Sequence, residues 1–263
     1  MSEPVTTWTR VADVCYWIFA TRARDLTEST ARRSALVVAP HPDDETFGCA
    51  ATILRKRAAS TRVTICVVSD GGAFPAGDMS RDDIVTLRDR NMHEACRRLG
   101  VPDDDLLLLG YPDSELSTLV DPVTNALSTI IAELDPDEIY IPSSIDWHPD
   151  HVAVHTASLR AVAQSKSSAS LYTYPVWFWS SGAWMAPDMS LVRRKLSLSG
   201  IIVAAAGRLR PRKVRTNSYR EAKRDVMEVF RWELESDYDF FEKWHLRSEE
   251  LFFLTSVNPR ART

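Results

Sequence analysis

Residues 35–46 read ALVVAPHPDDET, an apolar run that is followed at once by a turn rich in acidic residues. A short, uninterrupted apolar run of this kind is typical of a strand that is buried on both faces. After Thr46 the pattern becomes helical and continues to about Ala59. The stretch therefore predicts a strand, a polar turn and a helix, with the turn at the carboxyl end of the strand.

The same alternation continues along the chain. Further apolar runs occupy residues 63–68, 106–109 and 138–141, and helical patterns occupy residues 81–99, 122–134 and 152–162. Strands that alternate with helices favour an α/β fold, here a Rossmann-like, mostly parallel sheet with helices on both faces. Such a sheet binds its ligands at the C-terminal strand edge, where the polar turns would meet. Beyond residue 171 we expect an aromatic segment, a basic loop, a helix near 217–235 and a strand near 251–254.

The composition is that of an ordinary globular protein. The chain has 263 residues, 44% of them hydrophobic, and a net charge of −4, which gives no general attraction to nucleic acid or to anionic membranes. We interpret the basic cluster at 208–213 as a solvated loop. No stretch approaches the ~20 apolar residues of a membrane anchor. The cysteines form no close pair, which favours a reduced, cytoplasmic location over a disulfide framework.

The N-terminal residues precede the first predicted strand and do not belong to the strand–helix alternation. Residues 8–25 have a helical pattern, and Trp17 and Phe19 widen its apolar face, which is formed by Trp8, Val11, Val14, Cys15 and Ile18. We therefore predict an N-terminal helical extension over residues 1–33 and a single domain over residues 34–263. The apolar face would dock on that domain or on a partner, and a homo-oligomer is one such arrangement.

The turn after the first strand combines His41 with Asp43, Asp44 and Glu45. Carboxylates this close repel one another, and a divalent cation relieves the repulsion. A helix-capping turn is the alternative, with Asp43 or Asp44 as the N-cap and Glu45 in the first turn. Capping accounts for the acidic residues but leaves His41 unexplained, so a metal or catalytic role is favoured.

A second polar cluster follows the strand at 138–141 and also precedes a helix. It contains His148, His151 and His155, and no cysteine that could complete a structural zinc site. Three protein ligands of nitrogen and oxygen type with one open position are typical of catalytic zinc. The spacing does not decide which of these histidines binds the metal, because His151 and His155 share a helix face, whereas His148 and His151 lie at the helix start. Asp150 could orient His148 through a hydrogen bond.

The two motifs together, residues 39–46 and residues 148–151, resemble the PIG-L/LmbE family of zinc-dependent de-N-acetylases. The resemblance runs from about Ser34 to Val162 and more loosely to Leu254. It implies hydrolysis of the acetamide of an N-acetylated amino sugar, such as an N-acetylglucosamine conjugate, to acetate and a free amine. It also implies that the partner is a small-molecule sugar conjugate.

The resemblance further implies a role for each matching residue. The zinc ligands would be His41, Asp44 and His151; the general base would be Asp43; His148, held by Asp150, would stabilise the oxyanion; and Arg88 and Asp113 would bind substrate. Zn²⁺ is the expected cofactor, although two nitrogens and a carboxylate also suit Fe²⁺.

Several residues depart from the family pattern. Asn91 stands where members commonly have Glu, Ser114 where Gly is frequent, and Trp232-Glu233 where a Ser-Gln pair is common. These departures leave the metal site intact and the identity of the sugar open. A zinc amidase for another N-acyl conjugate and a non-catalytic metal-binding relative are the alternatives. A nucleotide-binding protein is disfavoured because His-Pro-Asp-Asp replaces the glycine-rich turn.

An aromatic segment, residues 171–184, follows the second motif and includes Trp177, Trp179 and Trp184. Sugar rings stack on aromatic faces, so the segment could form a wall of the pocket. A place in the core or in a docking surface is the alternative.

Overall fold

The computed structural model of the chain describes residues 7–146, 148–178, 209–234 and 238–256. Its helices are α1 (Thr7–Arg22), α2 (Asp44–Ala58), α3 (Arg81–Leu99), α4 (Val120–Leu134), α5 (Pro149–Gln164), α6 (Arg220–Met227), α7 (Arg231–Leu234) and α8 (Tyr238–His245). Its strands are β1 (Arg24–Asp25), β2 (Ala35–Ala39), β3 (Val63–Ser69), β4 (Leu106–Tyr111), β5 (Glu138–Pro142), β6 (Ser170–Tyr174), β7 (Pro211–Arg215) and β8 (Glu249–Ser256).

All of these strands form one sheet in the order β1-β7-β8-β6-β5-β2-β3-β4. Strands β4, β3, β2, β5 and β6 are parallel to one another, while β8 is antiparallel to both β6 and β7. From β2 the chain builds outward to β3 and β4, and it then returns to β5 on the other side of β2. This reversal is the switch point at which open parallel sheets bind ligands. The predicted Rossmann-like α/β fold is confirmed.

The central strands are buried on both faces, which explains why they are uninterrupted apolar runs. In β2, Val37 and Ala39 belong to the core on the side of α2 and α3, and Leu36 and Val38 belong to the core on the side of α4 and α5. The side chains of one strand thus alternate between the two layers. This packing holds the ends of β2 and β5 in fixed positions.

Most predicted elements of the parallel region are confirmed to within a few residues. The helix predicted over 81–99 is α3, which ends at Gly100 with a φ of 73°. The C-terminal expectations were less accurate. The single helix predicted near 217–235 is divided into α6, α7 and short 3-10 turns. The basic cluster is not wholly a loop, because its backbone enters β7 beside β8 and Val214 of that strand is buried.

The N-terminal helix packs on the sheet with only part of the predicted face, since Phe19 of that face is buried but Val14 and Trp17 are not. Tyr16 and Phe19 are buried in a small core beside β8, whereas Val14 and Trp17 are 55% and 65% exposed. After α1, the short strand β1 pairs with β7. The division of the chain at residue 33 stays a prediction. Within the described residues, no helix is long and apolar enough to cross a membrane.

Candidate active site

The two predicted polar turns lie side by side, because β2 and β5 are neighbouring parallel strands. The first turn leads from β2 into α2, which begins at Asp44. The second leads from β5 into α5, whose first residue is Pro149. Proline suits this position because its fixed φ matches the helix and its missing N–H would have no partner there. Both turns therefore present their side chains to one crevice.

His41, Asp44 and His151 converge in this crevice. Asp44 Oδ2 lies 3.2 Å from His41 Nδ1 and 3.3 Å from His151 Nε2. It also accepts a hydrogen bond from the backbone N–H of His41. His151 Nε2 is buried and has no hydrogen-bond partner. Two imidazole nitrogens and a carboxylate oxygen, one of the nitrogens unsatisfied, form a donor set that fits a divalent cation such as zinc or iron.

Carboxylates on the far side orient both imidazoles. Asp146 Oδ2 lies 3.0 Å from His151 Nδ1, and the Asp146 carboxylate also accepts backbone N–H groups from Val176 and Phe178. His41 Nε2 lies 3.2 Å from Asp113 Oδ1 and 3.2 Å from Asp150 Oδ2. Carboxylates in such positions fix the tautomer of a metal-binding histidine and raise its basicity.

The electrostatics of the cluster favour positive charge. Burial opposes protonation of His151, but Asp44 and Asp146 outweigh it and raise the pKa of His151 to about 9. Burial acts in the same direction on His41, and contacts with Asp113, Asp150 and Asp44 nevertheless raise its pKa well above the usual value. Burial likewise opposes ionisation of Asp44, yet the two imidazoles hold its pKa below the usual range. A bound cation would take the place of these protons.

Asp43 points away from this cluster, although it is adjacent in sequence. Its backbone φ of 135° lies in a region that favours glycine, and its side chain does not cap α2. Instead, Asp43 Oδ2 accepts a hydrogen bond from Arg88 Nη2 at 2.9 Å. Burial raises the pKa of Asp43, Arg88 lowers it, and Glu233 raises it further, so that the net shift is upward.

Arg88 and Asp113 line the crevice but are themselves engaged by protein groups. The guanidinium of Arg88, 3% exposed, contacts Asp43 and Glu233. Asp113 accepts a hydrogen bond from the backbone N–H of Ala73 in addition to its contact with His41. Glu233 was noted from the sequence only as a departure from the family pattern, and Asp146, which precedes the second motif, was given no role. Sequence spacing gives no signal for either contact.

His148 and Asp150 lie in the same cluster without the predicted hydrogen bond between them. His148 Nδ1 and Asp150 Oδ1 are both buried and have no hydrogen-bond partner. The other oxygen of Asp150 accepts the backbone N–H of Ser114. Burial, together with His151 and His41, lowers the pKa of His148 to about 4. His155 lies away from the crevice, with Nδ1 3.0 Å from the carbonyl oxygen of Pro142.

The crevice contains a cavity of about 150 Å³. Its polar floor includes His41, Asp43, Asp44, Asp113 and His148, and its outer wall includes Phe74, Val176 and Trp177. The volume is below the ~300–1,000 Å³ of pockets for drug-sized ligands, so it suits a small group. Of the predicted aromatic segment, Trp177 lies on this wall, while Trp179 and Trp184 lie outside the described residues.

Sequence comparison matches both turns to one known family. The profile of the PIG-L family, described as GlcNAc-PI de-N-acetylase, matches residues 36–162. This part of the chain is therefore similar to the PIG-L family. The matched segment runs from β2 to α5 and therefore carries the whole donor set of the candidate metal centre.

Curated relatives of this chain are named as deacetylases. It is 33% identical over 139 residues, 50% of this chain and 62% of the relative, to a probable N-acetyl-alpha-D-glucosaminyl L-malate deacetylase 2 of Bacillus cereus. It is 28% identical over 158 residues, 51% of this chain and 55% of the relative, to a 1D-myo-inositol 2-acetamido-2-deoxy-alpha-D-glucopyranoside deacetylase of Thermobifida fusca. The chain thus spans less than two thirds of the length of these relatives.

Solved structures share the fold. The N,N'-diacetylchitobiose deacetylase of Pyrococcus horikoshii is 18% identical, with a TM-score of 0.63 and 98% of each chain covered. A deacetylase of the teicoplanin biosynthesis pathway is 17% identical, with a TM-score of 0.62, over 84% of this chain and 97% of that one. At these identities the likeness concerns the architecture alone.

Proposed function

We propose that this chain hydrolyses the acetamide of a small N-acetylated amino sugar conjugate and releases acetate and the free amine. The observation that carries the proposal is the convergence of His41 Nδ1, Asp44 Oδ2 and His151 Nε2 beside a separate, half-buried carboxylate, Asp43. A metal centre with an acid–base group next to it, but not on it, is what amide hydrolysis requires.

His41, Asp44 and His151 would hold Zn²⁺, and the same donors suit Fe²⁺. When bound, the cation supplies Lewis-acid polarisation of the acetamide carbonyl and makes water more acidic. The side chains on the far side of the imidazoles keep these ligands in place. Asp146 orients His151, while Asp113 and Asp150 orient His41.

Asp43 would act as the general base. It lines the cavity, and Arg88 Nη2 holds its Oδ2 atom at 2.9 Å. Burial and the nearby Glu233 raise the pKa of Asp43, which suits a carboxylate that must accept a proton from water. The proton could then pass to the departing amine.

His148 would stabilise the oxyanion that forms when water attacks the carbonyl. It lines the cavity, and the lowered pKa keeps the imidazole neutral near pH 7, with one N–H to donate. Asp150 is the proposed support for His148, since it lies in the same cluster and its buried Oδ1 atom has no hydrogen-bond partner among the described residues.

The sugar would lie against the outer part of the cavity. Asp113 is proposed to accept hydrogen bonds from sugar hydroxyls, and Phe74 and Trp177 offer aromatic faces for the ring. Arg88 is proposed to act chiefly on Asp43, because its guanidinium is buried and paired. The named relatives suggest malate and inositol conjugates of N-acetylglucosamine as substrates to test.

A cytoplasmic location is part of the proposal, and the three described cysteines, which are free and buried, are consistent with a reducing compartment. A homo-oligomer remains a prediction.

The test is acetate release by the zinc-loaded protein from a panel of N-acetyl sugars. The panel contains N-acetylglucosamine, N,N'-diacetylchitobiose and the malate and inositol conjugates. We expect release from at least one of them, loss of release with a chelator, and recovery with added zinc. His151→Ala should abolish release and metal binding together, whereas His155→Ala, one helical turn away, serves as the matched control. Absence of acetate from every substrate at full zinc occupancy would overturn the proposal.

A further inference from the structure

Glu233 is a buried carboxylate in the crevice whose only part in the proposed chemistry is to raise the pKa of Asp43. It belongs to the short helix α7, far along the chain from both metal-site turns. Its side chain is 1% exposed, yet it lines the same cavity as Asp43 and His148. A buried carboxylate is unfavourable unless it is paired. The cation that pairs with Glu233 is Arg88, and the carboxylate of Asp43 also contacts Glu233.

Arg88 joins Glu233 to Asp43. Glu233 Oε2 accepts a hydrogen bond from Arg88 Nη2 at 2.6 Å, and Oε1 accepts one from Nε at 3.3 Å. Asp43 Oδ2 accepts from the same Nη2 atom at 2.9 Å. Nη2 and Nη1 also donate to the carbonyl oxygens of Pro42 and Gly71 at 3.0 and 3.3 Å. The guanidinium is therefore held in one plane, and it contacts both the side chain of Asp43 and the peptide before it.

Asp43 requires such a support from outside its own turn. Its φ of 135° is a conformation that costs about 1–3 kcal/mol in a residue other than glycine, and it persists only where the surroundings impose it. No hydrogen bond from its side chain to the start of α2 fixes the carboxylate. Arg88 supplies the missing restraint, since it binds the carboxylate and the carbonyl of Pro42 together.

Glu233 determines how many N–H groups of Arg88 are available to Asp43. Guanidinium and carboxylate groups favour a bidentate pair, in which two N–H groups bind both oxygens. Glu233 takes two of the N–H groups of Arg88, and the guanidinium gives Asp43 a single hydrogen bond, to Oδ2. Without Glu233, Arg88 could rotate to bind both oxygens of Asp43 and occupy the one that must accept a proton.

The residue before Glu233 anchors α7 to the same region. The indole of Trp232 packs edge-to-face on Phe74, with ring centroids 5.6 Å apart. Phe74 in turn lies under the guanidinium of Arg88, 5.1 Å from its ring centroid. Two successive side chains of α7 thus make contacts here: Trp232 packs on Phe74, and Glu233 binds the Arg88 guanidinium that lies on the same ring. These contacts fix the position of the Glu233 carboxylate.

We propose that Glu233 is a positioning residue, which binds Arg88 so that the guanidinium orients Asp43 with a single hydrogen bond and leaves its second oxygen for the reaction. The inference rests on the proposed function, because it assigns Glu233 to the reaction in which Asp43 is the base. It also gives a physical meaning to the departure from Gln at this position.

The test compares Glu233→Met and Glu233→Gln with Glu94→Gln as the control. Methionine has a similar shape but no hydrogen-bond acceptor. Glutamine keeps one oxygen for Arg88 and can turn its amide toward Asp43. Glu94 lies on the same helix as Arg88 and pairs with Arg97 and Arg98 at the surface, so its replacement removes an arginine pair outside the crevice.

For the zinc-loaded enzyme, we expect Glu233→Met to lower kcat by about 100-fold, the size of effect that a misplaced catalytic group produces. KM and zinc content should stay near the wild-type values, Glu233→Gln should recover most of the turnover, and Glu94→Gln should match the wild type. In an Arg88→Met background, the Glu233→Met change should have no further effect, because the two act through one contact. Unchanged kcat in Glu233→Met, or an additive loss in the double variant, would overturn the proposal.

A second variant and a spectroscopic measurement distinguish loss of the Arg88 contact from loss of folding or of activity. If Glu233→Met does not fold, Glu233→Asp keeps the charge but withdraws the carboxylate, and it should also lower kcat without changing KM. Nitrogen-15 spectra of the arginine side chains report the Arg88 contact without turnover, and the Nε–H signal of Arg88 should move in Glu233→Met. A wild type that releases no acetate would overturn the proposed function, whereas an active wild type with an unmoved Arg88 signal would overturn only the role of Glu233.

Discussion

Asp146 Oδ2 lies 3.0 Å from Nδ1 of His151, and the same carboxylate accepts the backbone N–H groups of Val176 and Phe178. Asp146, in the turn between β5 and α5, therefore holds both the proposed ligand His151 and the segment after β6. This arrangement directs Nε2 of His151 toward Asp44.

We predict that Asp146→Asn weakens metal binding by about 10–100-fold, the usual effect of removing a carboxylate that supports a histidine ligand. The amide can keep part of the hydrogen bonding but not the charge that raises the basicity of His151. Titration of the apoprotein with zinc in a competing chelator measures the change. Asp121→Asn is the control, because that carboxylate pairs with Arg160 at the surface. Equal zinc affinities for the two variants would contradict the role of Asp146.

The two adjacent aspartates should separate metal binding from catalysis. Asp44→Asn removes a ligand charge from between His41 and His151, so we expect loss of stoichiometric zinc. Asp43→Asn should keep zinc and lose turnover, because Asp43 contacts Arg88 instead of the histidines. Metal analysis after dialysis and an acetate assay distinguish the two outcomes. A variant set in which Asp43→Asn loses zinc and Asp44→Asn retains it would reverse the assignment.

Gly48 allows α2 to approach the sheet. A Cβ atom at this position would lie 2.3 Å from Cδ2 of Tyr174, whose hydroxyl donates a hydrogen bond to the carbonyl oxygen of Val38. We predict that Gly48→Ala lowers the free energy of unfolding by about 1–3 kcal/mol through overpacking. It should also lower zinc affinity, because Asp44 lies one turn away on the same helix.

Urea unfolding and zinc titration measure these effects of Gly48→Ala. The double variant Gly48→Ala/Tyr174→Leu removes the ring that the new methyl group would contact, and it should be less destabilised than the sum of its single changes. Strict additivity would show that the contact with Tyr174 is not the cause.

His245 should make the fold sensitive to acid. Burial, followed by the nearby positive charge of Lys223, lowers the pKa of His245 from 6.5 to about 3. Between these values the unfolded chain binds a proton that the folded chain does not, so the free energy of unfolding falls as the pH decreases. The slope from this one group is about 1.4 kcal/mol per pH unit.

We therefore predict that His245→Asn flattens the dependence of stability on pH between about 6.5 and 4, by the slope of one group. Asparagine can replace the donor that His245 Nδ1 presents to the carbonyl oxygen of Phe47, 3.1 Å away. Urea unfolding at several pH values checks the prediction, and the slopes are compared because the substitution also alters packing. Parallel pH profiles for the two proteins would contradict it.

The parallel part of the fold was predictable because its signals are local. The runs at β2, β3, β4 and β5 are apolar without interruption, and the helices between them have clear periodicity. The face of α1 was not predictable in the same way. The apolar residues of that helix are distributed around its whole circumference. Periodicity alone therefore did not indicate that Tyr16 would be buried and Trp17 exposed. The prediction of one long C-terminal helix was wrong for a related reason, because tertiary packing divides that segment into short helices and turns.

The sequence by itself determined that His41, Asp43, Asp44, His148 and His151 stand at the ends of two parallel strands. Consecutive strand-to-helix turns of such a sheet share one edge, so their proximity follows from connectivity. Only the tertiary structure decided the pairings within that edge: Asp146 on His151, Asp150 and Asp113 on His41, and Glu233 with Arg88 on Asp43. Except for the contact of Asp146 with His151, they join residues far apart along the chain, and they depend on the packing of side chains from separate elements, which no local pattern records.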